Sequence, residues 1–208
     1  MHFFTLVLGI WLLPKVNTLT CYECVPGPSG SCTETTKQCP TGDYQCGAIR
    51  FLTYAGASQM SDIQAKKCTL AQECITGSVN FGVAKTMLTS KCCNSDRCNS
   101  QPVPDASQSS PNGKKCFTCE GETCTKTVNC EGTEDHCIKT TVVAGGNKNT
   151  WKGCASKTIC TAASNPQLSG VVGAEINCCQ GDFCNSASSA SAGLLLLMGP
   201  LISLVLFF

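Results

Sequence analysis

The sequence predicts a small, disulfide-rich, all-β protein made of two tandem domains. Three observations carry that expectation. The chain has 20 cysteines in 208 residues, a density characteristic of disulfide scaffolds. The stretch CCNSDRCN at residues 92–99 returns 86 positions later as CCQGDFCN at residues 178–185. The apolar segments between cysteines are short and alternating, and no long stretch has helical period.

Thiols in this number persist as disulfides only in an oxidising compartment, so the count points to secretion. The N-terminus agrees. Residues 3–13 form an apolar run, followed by Lys15 and a Val16-Asn17-Thr18 stretch suited to signal peptidase. Residues 1–18 are therefore read as a removed signal peptide, leaving a chain that opens LTCYEC. At the other end residues 194–208 are almost all apolar, but they are fewer than the roughly 20 residues that a spanning helix needs. Before them lies a run of Ser, Ala and Gly only. Small residues, a spacer of about 8 and an apolar tail form the attachment signal for a glycosylphosphatidylinositol (GPI) anchor. Residues 186–208 are expected to be a removed propeptide, with Asn185 the first choice for lipid attachment and Ser186 and Ser188 the alternatives. The expected location is the extracellular face of the plasma membrane.

Between these ends the cysteines divide evenly. Cys21, Cys24, Cys32, Cys39, Cys46, Cys68, Cys74, Cys92, Cys93 and Cys98 form one set. Cys116, Cys119, Cys124, Cys130, Cys137, Cys154, Cys160, Cys178, Cys179 and Cys184 form the second. The last four gaps, 6, 18, 1 and 5, match in order, and the length differences fall earlier, where hairpin tips absorb them. One unit therefore occurs twice. The first domain is placed at residues 19–100 and the second at 114–185. Residues 101–113, rich in Pro and Ser and without apolar periodicity, form the linker.

In the first domain residues 48–54 read as a strand, 55–58 as a loop tip, and Val79, Phe81 and Val83 as an alternating half-buried strand. In the second, 138–143 is a strand, 144–147 its turn and 149–153 the return. Domains of this size with so few large apolar side chains cannot bury a sufficient core, and cross-links make up the deficit. Closing a loop of about 30 residues, such as 39–68, contributes about 3.5 kcal/mol by loop-closure entropy. Spacing alone chooses none of the many pairings that ten cysteines admit.

LTCYEC at the start of a unit, CCNSDRCN and CCQGDFCN at the unit ends and ten cysteines in each make the chain resemble the lymphocyte-antigen-6/urokinase-receptor superfamily over both units. DYQCGAI (43–49), GTEDHCIK (132–139) and WKGC (151–154) resemble its tandem members, of urokinase-receptor or snake phospholipase-inhibitor type. The resemblance implies two tandem three-finger (snake-toxin-like) domains. It implies the pairs Cys21–Cys46, Cys24–Cys32, Cys39–Cys68, Cys74–Cys92 and Cys93–Cys98. In the second unit it implies Cys116–Cys137, Cys119–Cys124, Cys130–Cys154, Cys160–Cys178 and Cys179–Cys184. It also implies that Asn99 and Asn185 turn their amides inward onto strand backbone near the cysteines.

Catalytic, metal-dependent and nucleic-acid-binding classes find little support. His136 is the only histidine after residue 2 and reads as an exposed loop side chain beside Cys137, without the partners of a nucleophilic triad. The Cys-x2-Cys pairs at 21–24 and 116–119 lack two further ligands, and oxidised cysteines cannot coordinate zinc. No catalytic residue, metal or cofactor is expected. Residues 19–100 carry seven Lys or Arg and six Asp or Glu, and residues 114–185 carry seven of each, so no basic field exists to attract nucleic acid. No Asn-x-Ser/Thr sequon follows residue 18, and O-glycans on the Ser-rich linker are the expected sugars.

Recognition remains. Cross-linked hairpins present side chains at fixed positions, so a partner is bound with little loss of entropy. Arg50, Phe51, Tyr54 and Met60 in the first unit, and Lys148 and Trp151 in the second, are the contact candidates, because aromatics and Arg dominate binding hot spots. The sequence is read as a GPI-anchored, non-catalytic receptor for an extracellular protein ligand. The alternatives are a secreted inhibitor of an extracellular enzyme such as a phospholipase, and a cell or gamete adhesion protein.

Overall fold

The computed structural model describes residues 18–27, 30–104, 109–144, 147–164 and 174–186. Nearly all of the expected signal peptide and propeptide, Ser188 included, lies outside these residues, as do 105–108 of the linker and 145–146 of the second-domain turn.

Among the described residues eleven strands and short helical segments follow in chain order. They are β1 (Thr20–Glu23), β2 (Thr35–Gln38), β3 (Tyr44–Ala55), β4 (Ser58–Leu70), β5 (Gly77–Asn80), β6 (Lys85–Cys93), β7 (Pro111–Glu120), β8 (Thr123–Glu131), β9 (His136–Ala144), β10 (Asn147–Ala155), helix α1 (Lys157–Ala163) and β11 (Ala174–Cys179). The fold is the small, disulfide-rich, all-β architecture of two tandem three-finger domains. β1 with β2, β5 with β6, β7 with β8 and β9 with β10 pair antiparallel, and β11 pairs antiparallel with β9. β3 passes into β4 through a turn that contains Gly56 in the left-handed region (φ +57), a conformation that glycine adopts without penalty.

By spatial proximity the described chain resolves into two compact units. The first holds residues up to Ile49 together with Gln64–Cys74 and Ser90–Val103. In it β1 pairs with β2, with Cys21 opposite Lys37, and Cys24 exchanges two backbone bonds with Lys66. Its centre is sulfur: Cys21, Cys39 and Cys46 are buried, with Leu19, Tyr44, Cys68, Cys93 and Cys98 packed around them.

The second unit holds Arg50–Ile63, Ile75–Thr89 and the chain from Pro104 onward. Within it the strands run β11-β9-β10-β5-β6, while β7 and β8 form a separate two-stranded ribbon. β9 and β10 pair over nine residues with Cys137 opposite Cys154, whereas β10 meets β5 through two pairs only, Cys154↔Asn80 and Ala155↔Val79. Gly153 makes that approach possible, because a Cβ there would lie 2.1 Å from the Asn80 carbonyl oxygen. One core cluster is Cys116, Cys130, Cys137 and Cys154, and another joins Ile138, Ala155 and Cys160 to Val79, Phe81 and Ile176.

Local readings need three corrections. The alternating run 79–83 is not one strand: β5 ends at Asn80, whose Oδ1 accepts from the Gly82 N–H, and Phe81 and Val83 lie in the turn that Gly82 (φ +80) allows before β6. Helix α1 follows β10, where no helical signal was read. It has only seven residues, too few for periodicity to show. His136 opens β9, and its side chain is 16% exposed rather than free in a loop.

Candidate functional site

Disulfides cross-link both repeats. In the structure Cys21 is bonded to Cys46, Cys24 to Cys32, Cys39 to Cys68, Cys74 to Cys92 and Cys93 to Cys98. Cys116 is bonded to Cys137, Cys119 to Cys124, Cys130 to Cys154, Cys160 to Cys178 and Cys179 to Cys184. Two sulfur triplets, Cys21/Cys39/Cys68 and Cys116/Cys130/Cys154, lie within 4.8 Å, a spacing that would suit a metal. Their atoms are disulfide sulfurs, which are not thiolate ligands.

The repeated terminal motif acts through three residues. Asn99 Oδ1 accepts from the Tyr22 N–H at 3.0 Å, and its amide donates to the carbonyls of Tyr22 and Gly47. Asn185 does the same in the second unit: Oδ1 accepts from the Phe117 N–H at 2.9 Å, and Nδ2 faces the carbonyls of Phe117, Ile138 and Gly153. Each asparagine thereby ties the first strand of its repeat to the third. The spaced Asp of the motif has a role that sequence reading left unassigned. Asp96 accepts from the Thr20 N–H, and Asp182 accepts from the Lys115 N–H. The following residues, Arg97 and Phe183, take φ +54 and +59 and return their own N–H groups to the Thr20 and Lys115 carbonyls. The motif is thus a clasp, one copy per repeat, and its recurrence was the available signal.

The finger surfaces divide the contact candidates. Arg50 is spent on an ion pair, with Nε 2.8 Å from Asp62 Oδ1 and Nη2 2.5 Å from Oδ2; its side chain is only 13% exposed. That pair holds the Asp62 carboxyl below the usual carboxylate range. Tyr54 is half-buried, with its hydroxyl 3.5 Å from Gln59. Phe51 and Met60 are outward, 39% and 66% exposed, and Ile63 adds a third exposed apolar side chain on this hairpin that sequence reading missed. In the second repeat Lys148 is exposed, and Trp151 is 41% exposed with its ring tilted 56° against Phe81 at 5.9 Å.

Comparison with known proteins places this geometry. The u-PAR/Ly-6 domain matches residues 17–101 and again 112–187. The chain belongs to the u-PAR/Ly-6 family. The urokinase plasminogen activator surface receptor of Rattus norvegicus is 28% identical over 193 residues, covering 86% of this chain and 58% of that protein. The Mus musculus receptor of the same name is 29% identical over 184 residues, covering 77% and 55%. The chain thus spans little more than half the length of these relatives. The crystal structure of mouse TEX101 aligns with 78% of this chain and 99% of its own at 16% identity and a TM-score of 0.28.

The second u-PAR/Ly-6 repeat also buries polar groups that the sequence did not flag. Glu134 is fully buried; it accepts from the Ser78 hydroxyl at 2.7 Å and the Glu131 N–H at 2.8 Å, with Lys85 Nζ 3.7 Å away. Lys85 also pairs with Glu131 at 2.5 Å. Asp135 accepts from the Lys157 N–H at the start of α1 and lies 2.9 Å from His136 Nδ1. Burial pushes the Asp135 carboxyl up, but the His136 and backbone bonds outweigh it and hold it below its ordinary value. Lys152, opposite Lys139 on β9, is pushed down by burial and by that like charge, and its ammonium lies 6.0 Å from the Phe117 ring centre. Among the described residues no helix is long and apolar enough to cross a membrane.

Proposed function

We propose that the protein is a GPI-anchored, non-catalytic receptor that recognises an extracellular protein through the outer faces of its fingers. Membership of the u-PAR/Ly-6 family, one of non-enzymatic binding proteins with urokinase receptors among the relatives, supports the class. The observation that carries the reading is the central hairpin. Phe51, Met60 and Ile63 stand exposed beside the Arg50–Asp62 pair, on a strand pair whose base is fixed by the Cys21–Cys46 and Cys39–Cys68 bridges. Apolar side chains held outward on a rigid frame lose little entropy on binding. Phe51, Met60 and Trp151 are the leading contact residues, and Arg50 and Tyr54 become positioning residues.

The anchor is assigned to Ser188 or Ser186 in preference to Asn185. The Asn185 amide is engaged with four backbone groups, and Cys184 beside it is bridged to Cys179. Ser186 N–H still bonds to the Phe183 carbonyl, and Ser188 follows two residues later in the chain. A transamidase needs an accessible backbone, which supports a target beyond that clasp.

Two measurements test this reading. Phosphatidylinositol-specific phospholipase C should release the protein from intact cells; retention after treatment, or spontaneous appearance in the medium, rejects the anchor. Proximity labelling on the same cells, repeated with Phe51→Ser and Met60→Ser, should lose a discrete set of partners while surface level stays constant. An unchanged partner set rejects the finger surface.

A further inference from the structure

The second repeat carries an open cleft with no assigned role. The tip of the β7–β8 ribbon and the outer part of β10 enclose about 500 Å³, lined by the Cys119–Cys124 bridge, Glu122, Lys148 and Trp151. That volume falls in the range of small-molecule sites. Trp151 offers a partly exposed indole whose orientation is held by Phe81. Glu122 and Lys148 carry opposite charges on the same cleft, yet neither side chain has an ion pair or hydrogen bond among the described residues. Some opposite charges elsewhere on the fingers are paired, as in Lys37–Glu23, Lys66–Glu34 and Lys126–Glu120. The cleft therefore presents a negative group, a positive group and an aromatic ring, all unspent.

We propose that this cleft binds a phosphocholine group, with the quaternary ammonium against Trp151 and Glu122 and the phosphate on Lys148. A quaternary ammonium has no hydrogen to donate, so it is recognised by an aromatic quadrupole and a nearby carboxylate. Lysine is a compact point charge suited to a phosphate. A neutral saccharide would use the indole and leave both charges idle, and a simple anion would use Lys148 alone. The disulfide wall is apolar and packs against the methyl groups.

Trp151 is the only tryptophan beyond residue 18, so its fluorescence reports from the cleft. The test titrates the oxidised protein, purified from a secretory host, with phosphocholine, choline, inorganic phosphate and phosphoethanolamine. Phosphocholine should give a saturable change, and each of the other three should bind at least about tenfold more weakly. Lys148→Met should weaken phosphocholine about tenfold and leave choline unchanged, whereas Glu122→Gln should weaken both. Competition among ligands on the unsubstituted protein gives the same ranking if a variant is secreted poorly. A lysophosphatidylcholine arm below its micelle concentration separates sources: a midpoint matching the free ester assigns the lipid headgroup, and no response assigns the soluble ester. Equal affinity for choline and phosphocholine, equal affinity for phosphoethanolamine, no saturable change into the tens of millimolar, or binding to phosphatidylcholine vesicles alone would each overturn the proposal.

Discussion

Replacing Asn185 by aspartate changes one atom of the clasp and almost no volume. In the native chain Oδ1 accepts from the Phe117 N–H, while Nδ2 serves the carbonyls of Phe117 and Ile138 at 3.0 Å and Gly153 at 3.4 Å. The introduced carboxyl keeps the acceptor and removes both donors. At least two buried carbonyls then lose a partner, at about 1–3 kcal/mol each, so the second unit should lose about 2–5 kcal/mol at neutral pH. A typical domain has about 5–15 kcal/mol in total, so a loss of that size lowers secreted yield as well as the denaturation midpoint. The ionised carboxyl would also face carbonyl dipoles, which raises its folded pKa above the unfolded value near 3.9. The penalty is then full above the folded pKa, shrinks as pH falls from there toward the unfolded value of about 3.9, and is smallest below it, where both states are protonated. Guanidinium unfolding with disulfides intact, at neutral pH and again near pH 3.5, measures both effects. A variant within about 0.5 kcal/mol of the parent at neutral pH, with an unchanged denaturant slope, would refute the clasp reasoning.

Four further outcomes are expected. Gly153→Ala places a methyl 2.1 Å from the Asn80 carbonyl and should abolish the β10–β5 pairing, read as loss of amide-exchange protection at Val79 and Asn80, whereas Gly121→Ala, with open space around it, should cost only about 1 kcal/mol for its φ of +59. Glu134→Ala leaves the Ser78 hydroxyl and the Glu131 N–H without their acceptor and should destabilise by about 2–4 kcal/mol in thermal or denaturant unfolding. Replacing both cysteines of Cys39–Cys68, 29 residues apart, should cost about 1–1.5 kcal/mol more than replacing Cys119–Cys124, 5 apart, because the longer loop restrains more of the unfolded chain; equal losses would reject that account. Asp62 has a folded pKa below its unfolded value, so the Arg50–Asp62 pair contributes above the unfolded pKa and is lost as pH falls through the folded one; the pair is partly exposed, so Asp62→Asn should cost under about 1 kcal/mol at neutral pH.

The residues differ in how far their roles could be read in advance. Cysteine order and spacing marked two repeats, because a thiol in an oxidising compartment must find a partner, but spacing alone did not say which partner. Strands such as 48–54 and 138–143 announced themselves by alternation and lengthened at both ends in the structure, to Tyr44–Ala55 and His136–Ala144. The tandem motif announced Asn99 and Asn185. Asp96 and Asp182 stood in the same motif, but their bonds to Thr20 and Lys115 are set by a left-handed residue that no periodicity encodes.

Tertiary structure alone decided the rest. Residues 75–89 belong to the first repeat by sequence and to the second compact unit by packing, because β5 meets β10 through Asn80 and Val79 and Ser78 bonds to the buried Glu134. A two-residue edge pairing and one buried carboxylate are too small to leave a pattern along the chain. Partnering settles side-chain availability in the same way: Arg50 and Lys148 are both exposed cations to a sequence reader, yet Asp62 consumes one and nothing among the described residues consumes the other. Sequence sets which bonds a chain must make; only the folded geometry shows which charges and surfaces those bonds leave over.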